Sequence, residues 1–482
     1  MKIAGIIAEW NPFHNGHAYL VQEAKEKYGC DYVIGVMSGD FVQRGMPAML
    51  DKYERTRAAL LCGVDLVLEL PVRYATGSAE FFAGEGVHIL NSLGCVTHLF
   101  FGMETLPGKP GKIGKSNLPE TSQFNKSSLS EISQIDQSDL PEISRIVDIL
   151  VEEPDAYKKD LQTGLKSGLS FPAAREQAIV RVLLQNKEKP TCEKTPQLEE
   201  QPTFRQALRR LRKQAAAQLP EGDPDYSFLK EPNIILALEY FKALKKTGSS
   251  ILPVAITRRD KGYHNTEFPI ASSDEGFASA SAIRSACENQ TSLPDLCKPF
   301  MPEFSADLLD IALQLGYIPD DRKFDLVMHW SLLQRAQEGF DSFEDVTPDL
   351  AARINKLLFQ YESYDQFVSL LKTRQITRTH VCRALLHIFL GLRKENGPAV
   401  PSYYPEYARI LGFREDASPL LSAVGKSNRI RLISKNADAG KLLKERDYAC
   451  FLEDLHAGHL YQMLLKADIK TESEMTRSPV RV

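Results

Sequence analysis

Four apolar runs in the first hundred residues, each followed by a helical pattern, restrict this chain more than any other feature. They span residues 2–8 (KIAGIIA), 31–37 (DYVIGVM), 65–70 (DLVLEL) and 97–101 (THLFF). Runs of this length read as strands buried on both faces. Between them, residues 17–28, 51–62 and 78–93 carry apolar side chains at helical spacing, closed by Gly29, Gly63 and Gly94. Strands alternating with helices demand crossover connections, so the fold class is α/β with a Rossmann-like parallel sheet.

The pattern then changes. Residues 106–142 are rich in Gly, Pro, Ser, Asn and Gln, too polar to bury much area, and read as an insertion. Residues 168–177 read as a loop entering a helix. A second polar insertion covers about 186–225 and includes the basic segment 204–213 (FRQALRRLRK). Residues 233–244 form an apolar helix and 251–256 a further strand. From about residue 300, Leu and Ala recur at helical spacing with few strand signals. The expected division is therefore residues 1–300 as a catalytic domain and 301–482 as a mostly helical domain.

With 43% hydrophobic residues the chain can build a large core, and a net charge of -4 gives it no general attraction for phosphate. Any RNA-binding surface must be local. The eight cysteines stand singly, without a CxxC pair, which argues against a zinc ribbon or a disulfide framework. No apolar run approaches the roughly 18 residues of a membrane span. No signal peptide is read at the start, so no membrane association is expected and the expected location is the cytoplasm.

The chemistry is expected where the first strand ends, in AEWNPFHNGH, residues 8–17, which holds two of only ten histidines. In a parallel sheet, ligands collect beyond the carboxyl ends of the strands. A helix starting near His17 would offer unpaired backbone N–H groups to phosphate. His14 and His17 lie about one helical turn apart, so both rings can face one phosphate chain and stabilise charge developing during transfer. Gly16 lets the backbone approach closely. A turn with one capping and one exposed histidine is the plain alternative.

HxGH after a first strand resembles the nucleotidyltransferases related to class I aminoacyl-tRNA synthetases. The longer strings EWNPFHNGH, VMSGDFVQRGMPAMLDKYERTRAAL, GVDLVLELP, HLFFG and FASASAIR together resemble the bacterial tRNA(Met) cytidine acetate ligase family. The match is dense over residues 1–104, resumes in blocks between Gly168 and Arg284, and is looser beyond. The resemblance implies a sheet of the HxGH nucleotidyltransferase type. It also implies ATP with Mg²⁺, acetate, and elongator tRNA(Met) as acceptor, the product being N4-acetylcytidine at the wobble position. No protein partner is implied.

Carried over by position, the family's ATP-binding segment covers Ile7, Ala8, Glu9, Trp10, Asn11, Pro12, Phe13, His14, Asn15, Gly16, His17, Ala18, Tyr19 and Leu20. His14 and His17 are the catalytic pair. Further ATP contacts fall on Gly102, on Asn233 in EPNIILALEY and on Arg258 in ITRRDKGYHN. The family carries two asparagines after that proline, and here Ile234 stands at the second. Arg259 is the neighbouring alternative to Arg258. Ser279, Ser281 and Arg284 in SASAIR fit a helix start with two hydroxyls and a cation near phosphate; capping by Ser281 is the alternative. The loop 38–45 (SGDFVQRG) is expected near acetate or tRNA. Residues 204–213 and 426–446 are two candidate RNA-contacting patches. Tyr403, Tyr404 and Tyr407 are expected to pack between helices rather than stack on bases.

Two other functions share parts of this pattern. A small-molecule nucleotidyltransferase would use the same HxGH step on a phosphorylated cofactor precursor, and a non-catalytic RNA-binding protein could keep the pocket as a nucleotide sensor. The long helical C-terminal part weighs against the first, and the intact histidine pair against the second.

Overall fold

The computed structural model describes residues 1–103, 140–185, 226–258, 276–394 and 403–482. Its strands are β1 (Ile3–Ala8), β2 (Tyr32–Ser38), β3 (Phe41–Val42), β4 (Met46–Pro47), β5 (Leu66–Leu70), β6 (His98–Met103), β7 (Leu252–Thr257), β8 (Tyr407–Phe413), β9 (Arg431–Ile433) and β10 (Val480–Arg481). Five of them, in the order β5-β2-β1-β6-β7, form the parallel sheet. The chain builds outward from β1 in one direction through β2 and β5, then returns to its other side for β6 and β7. The reversal opens a crevice at the carboxyl ends of β1 and β6.

The strands and their helices come out close to the sequence pattern. The connecting helices are α1 (Asn15–Gln22), α2 (Lys52–Leu61), α3 (Val72–Ala75) and α4 (Ala79–Ser92). Asp51 caps α2 by accepting the Glu54 N–H at 2.8 Å. Phe82, Ala83, Val87, Ile89 and Leu90 of α4 are buried in the main core with Ile3, Ile7 and Ile34 of the sheet. Each such large side chain contributes about 1.5–3 kcal/mol of burial. The helix Pro232–Lys246 packs beside α4 on the same core.

Residues 301–482 are mostly helical, and they also supply three strands that the sequence reading did not place. β8 pairs antiparallel with β5, and β9 and β10 pair with β8. The single antiparallel pairing, β5 with β8, divides the sheet into the five parallel strands and a second set in which β9 and β10 run parallel to β8, and the boundary at residue 300 does not coincide with an edge of the sheet. A separate core, containing Phe324, Leu332, Phe367, Leu385 and Leu464, joins the helices of this part to Phe41 and Val72.

Under that junction lies a buried ion network. Lys52 Nζ sits 3.3 Å from Asp40, 3.0 Å from Glu69 and 3.1 Å from Glu474. Arg409 of β8 bridges Glu69 at 3.0 Å and Glu474 at 2.9 Å, and also donates to the Tyr53 hydroxyl at 2.6 Å. All of these groups are buried. Charges withdrawn from water in this way must be mutually paired, so the network fixes how the C-terminal segment docks on the sheet.

The insertion read at 106–142 falls almost entirely outside the described residues; its last residues already belong to the helix Leu140–Glu152. The insertion at 186–225, with the basic segment 204–213, also lies outside them, as does Arg259. Tyr403, Tyr404 and Tyr407 pack internally. Tyr404 stacks on His88 with ring centroids 5.2 Å apart, and Tyr407 donates to Asp454 at 2.6 Å.

Candidate active site

The loop after β1 is held from below. Trp10 has φ +47°, a left-handed conformation that a non-glycine residue keeps only when its surroundings insist. Its indole is buried over Gly35 of β2, where an added Cβ would come within 2.2 Å of the ring. Arg55, itself buried, donates to the carbonyls of Glu9 at 2.6 Å, Ser38 at 3.1 Å and Leu50 at 2.9 Å. Asn11 accepts the Met49 N–H at 2.8 Å through its side chain, and its carbonyl accepts from Arg284 at 2.5 Å.

The helix begins two residues earlier than the spacing suggested, at Asn15 with His14 as its cap. His14 Nδ1 accepts the Gly16 N–H at 3.0 Å, and His17 Nδ1 accepts the His14 N–H at 3.2 Å. The two rings stack with centroids 3.8 Å apart. This corrects the expected anion site: the N–H groups of Gly16, His17 and Ala18 are already engaged within the turn. Each Nδ1 acts as an acceptor, so the neutral tautomer carries its proton on Nε2. The turn thus converts backbone donors into two imidazole Nε2–H donors.

His17 is held neutral. Burial pushes its pKa well below the usual histidine value, and the neighbouring His14 and Arg258 push it further down. Gly16 is required by the same geometry. A Cβ there would stand 2.8 Å from His14 Cε1 and 3.1 Å from Nδ1.

A single cleft gathers most of the expected site. Ile7, Ala8, Glu9, Trp10, Asn11, His14, Gly16, His17, Tyr19 and Leu20 line it, together with Gly102, Asn233, Arg258, Ser281 and Arg284. Pro12, Phe13, Asn15 and Ala18 do not. Phe13 is buried, with its carbonyl accepting from Ser305 at 2.6 Å, and Asn15 donates to the carbonyls of Gly276 and Pro299 at 2.8 and 2.9 Å. These four residues build the loop without facing the cleft. Asn233 is not a helix cap, because Glu231 occupies that position and Pro232 opens the helix.

The loop 38–45 divides. Asp40 enters the ion network, whereas Arg44 reaches the cleft and donates to Ser281 Oγ at 3.1 Å. Arg284 donates to the same oxygen at 3.3 Å. Two guanidinium groups meeting at one hydroxyl make this end of the cleft basic, and Arg258 adds a third on its wall. Ser279, not Ser281, caps the short helix Ala280–Ala286, accepting the Ala282 N–H at 3.1 Å. Ala79, Phe82, Phe101, Leu236 and Tyr240 complete the lining. Sequence reasoning passed over Tyr240, although Asn233, Leu236 and Tyr240 follow i, i+3, i+7 spacing on one helix face. Among the described residues, no group of three or more His, Cys, Asp or Glu is placed to hold a metal ion.

Residues 1–134 and 122–476 match the model of the HIGH Nucleotidyl Transferase family. The chain is 34% identical over 442 residues to the tRNA(Met) cytidine acetate ligase of Acetivibrio thermocellus, covering 91% of this chain and 89% of the relative. It is 32% identical over 492 residues to the protein of that name from Clostridium perfringens, covering 100% of this chain and 99% of the relative. The chain belongs to the tRNA(Met) cytidine acetate ligase family. Two solved structures share its fold along the full length of both chains. Thermotoga maritima TmcAL bound with alpha-thio ATP matches with a TM-score of 0.77 at 26% identity, and the apo form with a TM-score of 0.79 at 27%. Within this family fold, the β1 turn, the SASAIR segment and the helix Pro232–Lys246 converge on one cleft, although more than 200 residues separate the first from the others.

Proposed function

We propose that this protein is an ATP-dependent tRNA(Met) cytidine acetate ligase. It activates acetate as acetyl-adenylate and transfers the acetyl group to the N4 amine of the wobble cytidine of elongator tRNA(Met). The observation that carries the proposal is the pairing of His14 and His17 as two Nε2–H donors in a cleft with a basic end. Relatives of this name match over nearly their whole length, which favours this reading over a compact nucleotidyltransferase or a nucleotide sensor. The TmcAL neighbour bound with alpha-thio ATP supports ATP as the nucleotide.

In the first step an acetate oxygen attacks the α-phosphorus of ATP, and pyrophosphate leaves. His14 and His17 donate to the oxygens on which charge develops, while Arg44, Arg258, Ser281 and Arg284 hold the phosphates. Each such preorganised donor typically carries about 3–4 kcal/mol of transition-state stabilisation. No covalent enzyme intermediate is needed, because positioning and electrostatics suffice. Mg²⁺ arriving with ATP would supply charge neutralisation on the triphosphate, while the cationic Arg44, Arg258 and Arg284 of this lining would hold the phosphates. In the second step the cytidine amine attacks the mixed anhydride and AMP leaves.

The helical part and residues 426–446 are the proposed tRNA-binding region. Lys426, Arg429, Arg431, Lys435, Lys441, Lys444 and Arg446 are all exposed there. Lys444 is paired with Glu406 at 2.6 Å, and Arg446 lies 3.9 Å from the Tyr403 ring centroid, so part of this charge is engaged internally. The cytoplasm, where its tRNA substrate resides, is the proposed location; among the described residues, no helix is long and apolar enough to cross a membrane.

The test is acetate-dependent exchange of labelled pyrophosphate into ATP by the purified protein. The proposal predicts exchange that requires acetate. Exchange that requires a phosphorylated cofactor precursor instead would contradict it.

A further inference from the structure

The cleft lining carries three guanidinium groups, those of Arg44, Arg258 and Arg284, with Arg44 and Arg284 meeting at Ser281, and one carboxylate, that of Glu9 near Tyr240. Glu9 is fixed at both its backbone and its side chain. Its carbonyl accepts from Arg55 at 2.6 Å, and its Oε1 accepts the Gln43 N–H at 3.0 Å. Among the described residues, Oε2 has no hydrogen-bond partner, and Glu9 belongs to the cleft lining. A carboxylate held by one oxygen, on a residue that lines a ligand cleft, is arranged as an acceptor.

An acetate or phosphate anion would be repelled at that oxygen, which leaves it suited to a hydrogen-bond donor. What the lining does suit is a flat base with an exocyclic amine. Phe82 and Tyr240 add aromatic side chains to the same lining, Tyr240 near Glu9, as required for a base removed from its stack. The Tyr240 phenol lies near enough to Glu9 that the carboxylate adds to the effect of burial in raising its pKa, which keeps the phenol protonated.

Resting on the ligase reading above, we infer that Glu9 is the acceptor-recognition residue. Its Oε2 accepts an N4–H of the target cytosine and takes that proton during transfer. A carboxylate accepting from cytosine N4 is the pairing that distinguishes cytosine from uracil, whose O4 at that position is itself an acceptor. In the transfer step the N4 lone pair forms a bond to the acetyl carbon. The acyl C–O bond to the adenylate phosphate breaks, and AMP departs with that electron pair. The proton lost from N4 passes to Glu9 and then to solvent. Glu9 thus selects cytosine and serves as general base for its acylation.

The experiment compares the native protein with Glu9→Gln, using ATP, Mg²⁺, acetate and two tRNA(Met) transcripts, one with cytidine and one with uridine at the acceptor position. Native protein is expected to bind the uridine transcript roughly tenfold or more weakly. In E9Q the amide can present either an oxygen or an N–H, so the two transcripts should bind within about threefold of each other. The rate of transfer relative to adenylation should fall by about a hundredfold. A cytidine preference retained in E9Q, or a proportionate fall in adenylation and transfer, would overturn the inference. Should E9Q fail to fold, Glu9→Asp replaces it: the cytidine preference should persist while transfer falls more than adenylation, and a proportionate fall of both would overturn the inference. Native protein without acetate-dependent exchange would instead defeat the ligase reading itself.

Discussion

The ammonium of Lys52, at the start of α2, and the carboxylate of Glu474, near the other end of the chain, meet at 3.1 Å inside the protein. Asp40 and Glu69 complete the surroundings of that ammonium. Replacing Lys52 by Met leaves three carboxylates around an apolar side chain. Breaking a buried ion pair in this way costs about 3–5 kcal/mol. Urea denaturation of Lys52→Met should show that loss, and a loss below about 1 kcal/mol would mean that the network does not hold the C-terminal segment in place.

Glu474 also sets an acid limit on stability. Burial alone would raise its pKa, but Lys52 and Arg409 more than reverse this and bring it down to about 2, against an ordinary 4.5. Between those values the unfolded chain binds the proton and the folded chain does not. The contribution of Glu474 is therefore complete above about pH 4.5 and is lost as pH falls toward about 2. The stability difference between the native protein and Glu474→Gln should shrink over that window and stay constant from pH 5 to 8. Chemical denaturation across pH measures it.

Gly16→Ala should act on catalysis rather than folding. Its Cβ would press on the His14 ring from 2.8 Å and shift the Nε2–H donor from its aim. A misplacement of this size costs on the order of a hundredfold in rate. Adenylation measured by pyrophosphate exchange should fall that far, with a melting temperature within a few degrees of native. Unimpaired exchange would show that the aim of His14 is unimportant.

Because His17 is held neutral well below the usual histidine pKa, protonation of this ring should not limit adenylation at physiological pH. The folded imidazole takes up a proton only as the solution becomes distinctly acidic. The pH–rate profile for exchange should carry no His17-dependent break between about pH 6 and 8. A break near 6.5 that disappears in His17→Asn would contradict this.

Much of this architecture could be read in the chain. Residues 2–8 and 31–37 are apolar on both faces, and such strands fit only the middle of a covered parallel sheet. The cleft was legible because HNGH follows β1 directly, at the point where the sheet order reverses. What stayed hidden depends on distant pairing. β8 (YARILGF) carries Arg409 in its centre, a residue that looks like surface until Glu69 and Glu474 close around it. Lys52 and Asp40 were hidden for the same reason. The backbone donors of the HNGH turn were misread because spacing does not reveal that the ring and carbonyl of His14 already accept them. Tyr240 lay within a quoted helix, but its face toward Glu9 emerges only when that helix docks beside β6.

The most direct measurement incubates the purified protein with ATP, Mg²⁺, labelled acetate and bulk tRNA, and follows the label in the native protein and in a His14→Ala, His17→Ala variant. Acid-stable label is expected in one tRNA species, at N4 of a cytidine, with a loss of label by at least about a hundredfold in the double variant. Label confined to a small-molecule product, or equal labelling of tRNA by both proteins, would contradict it.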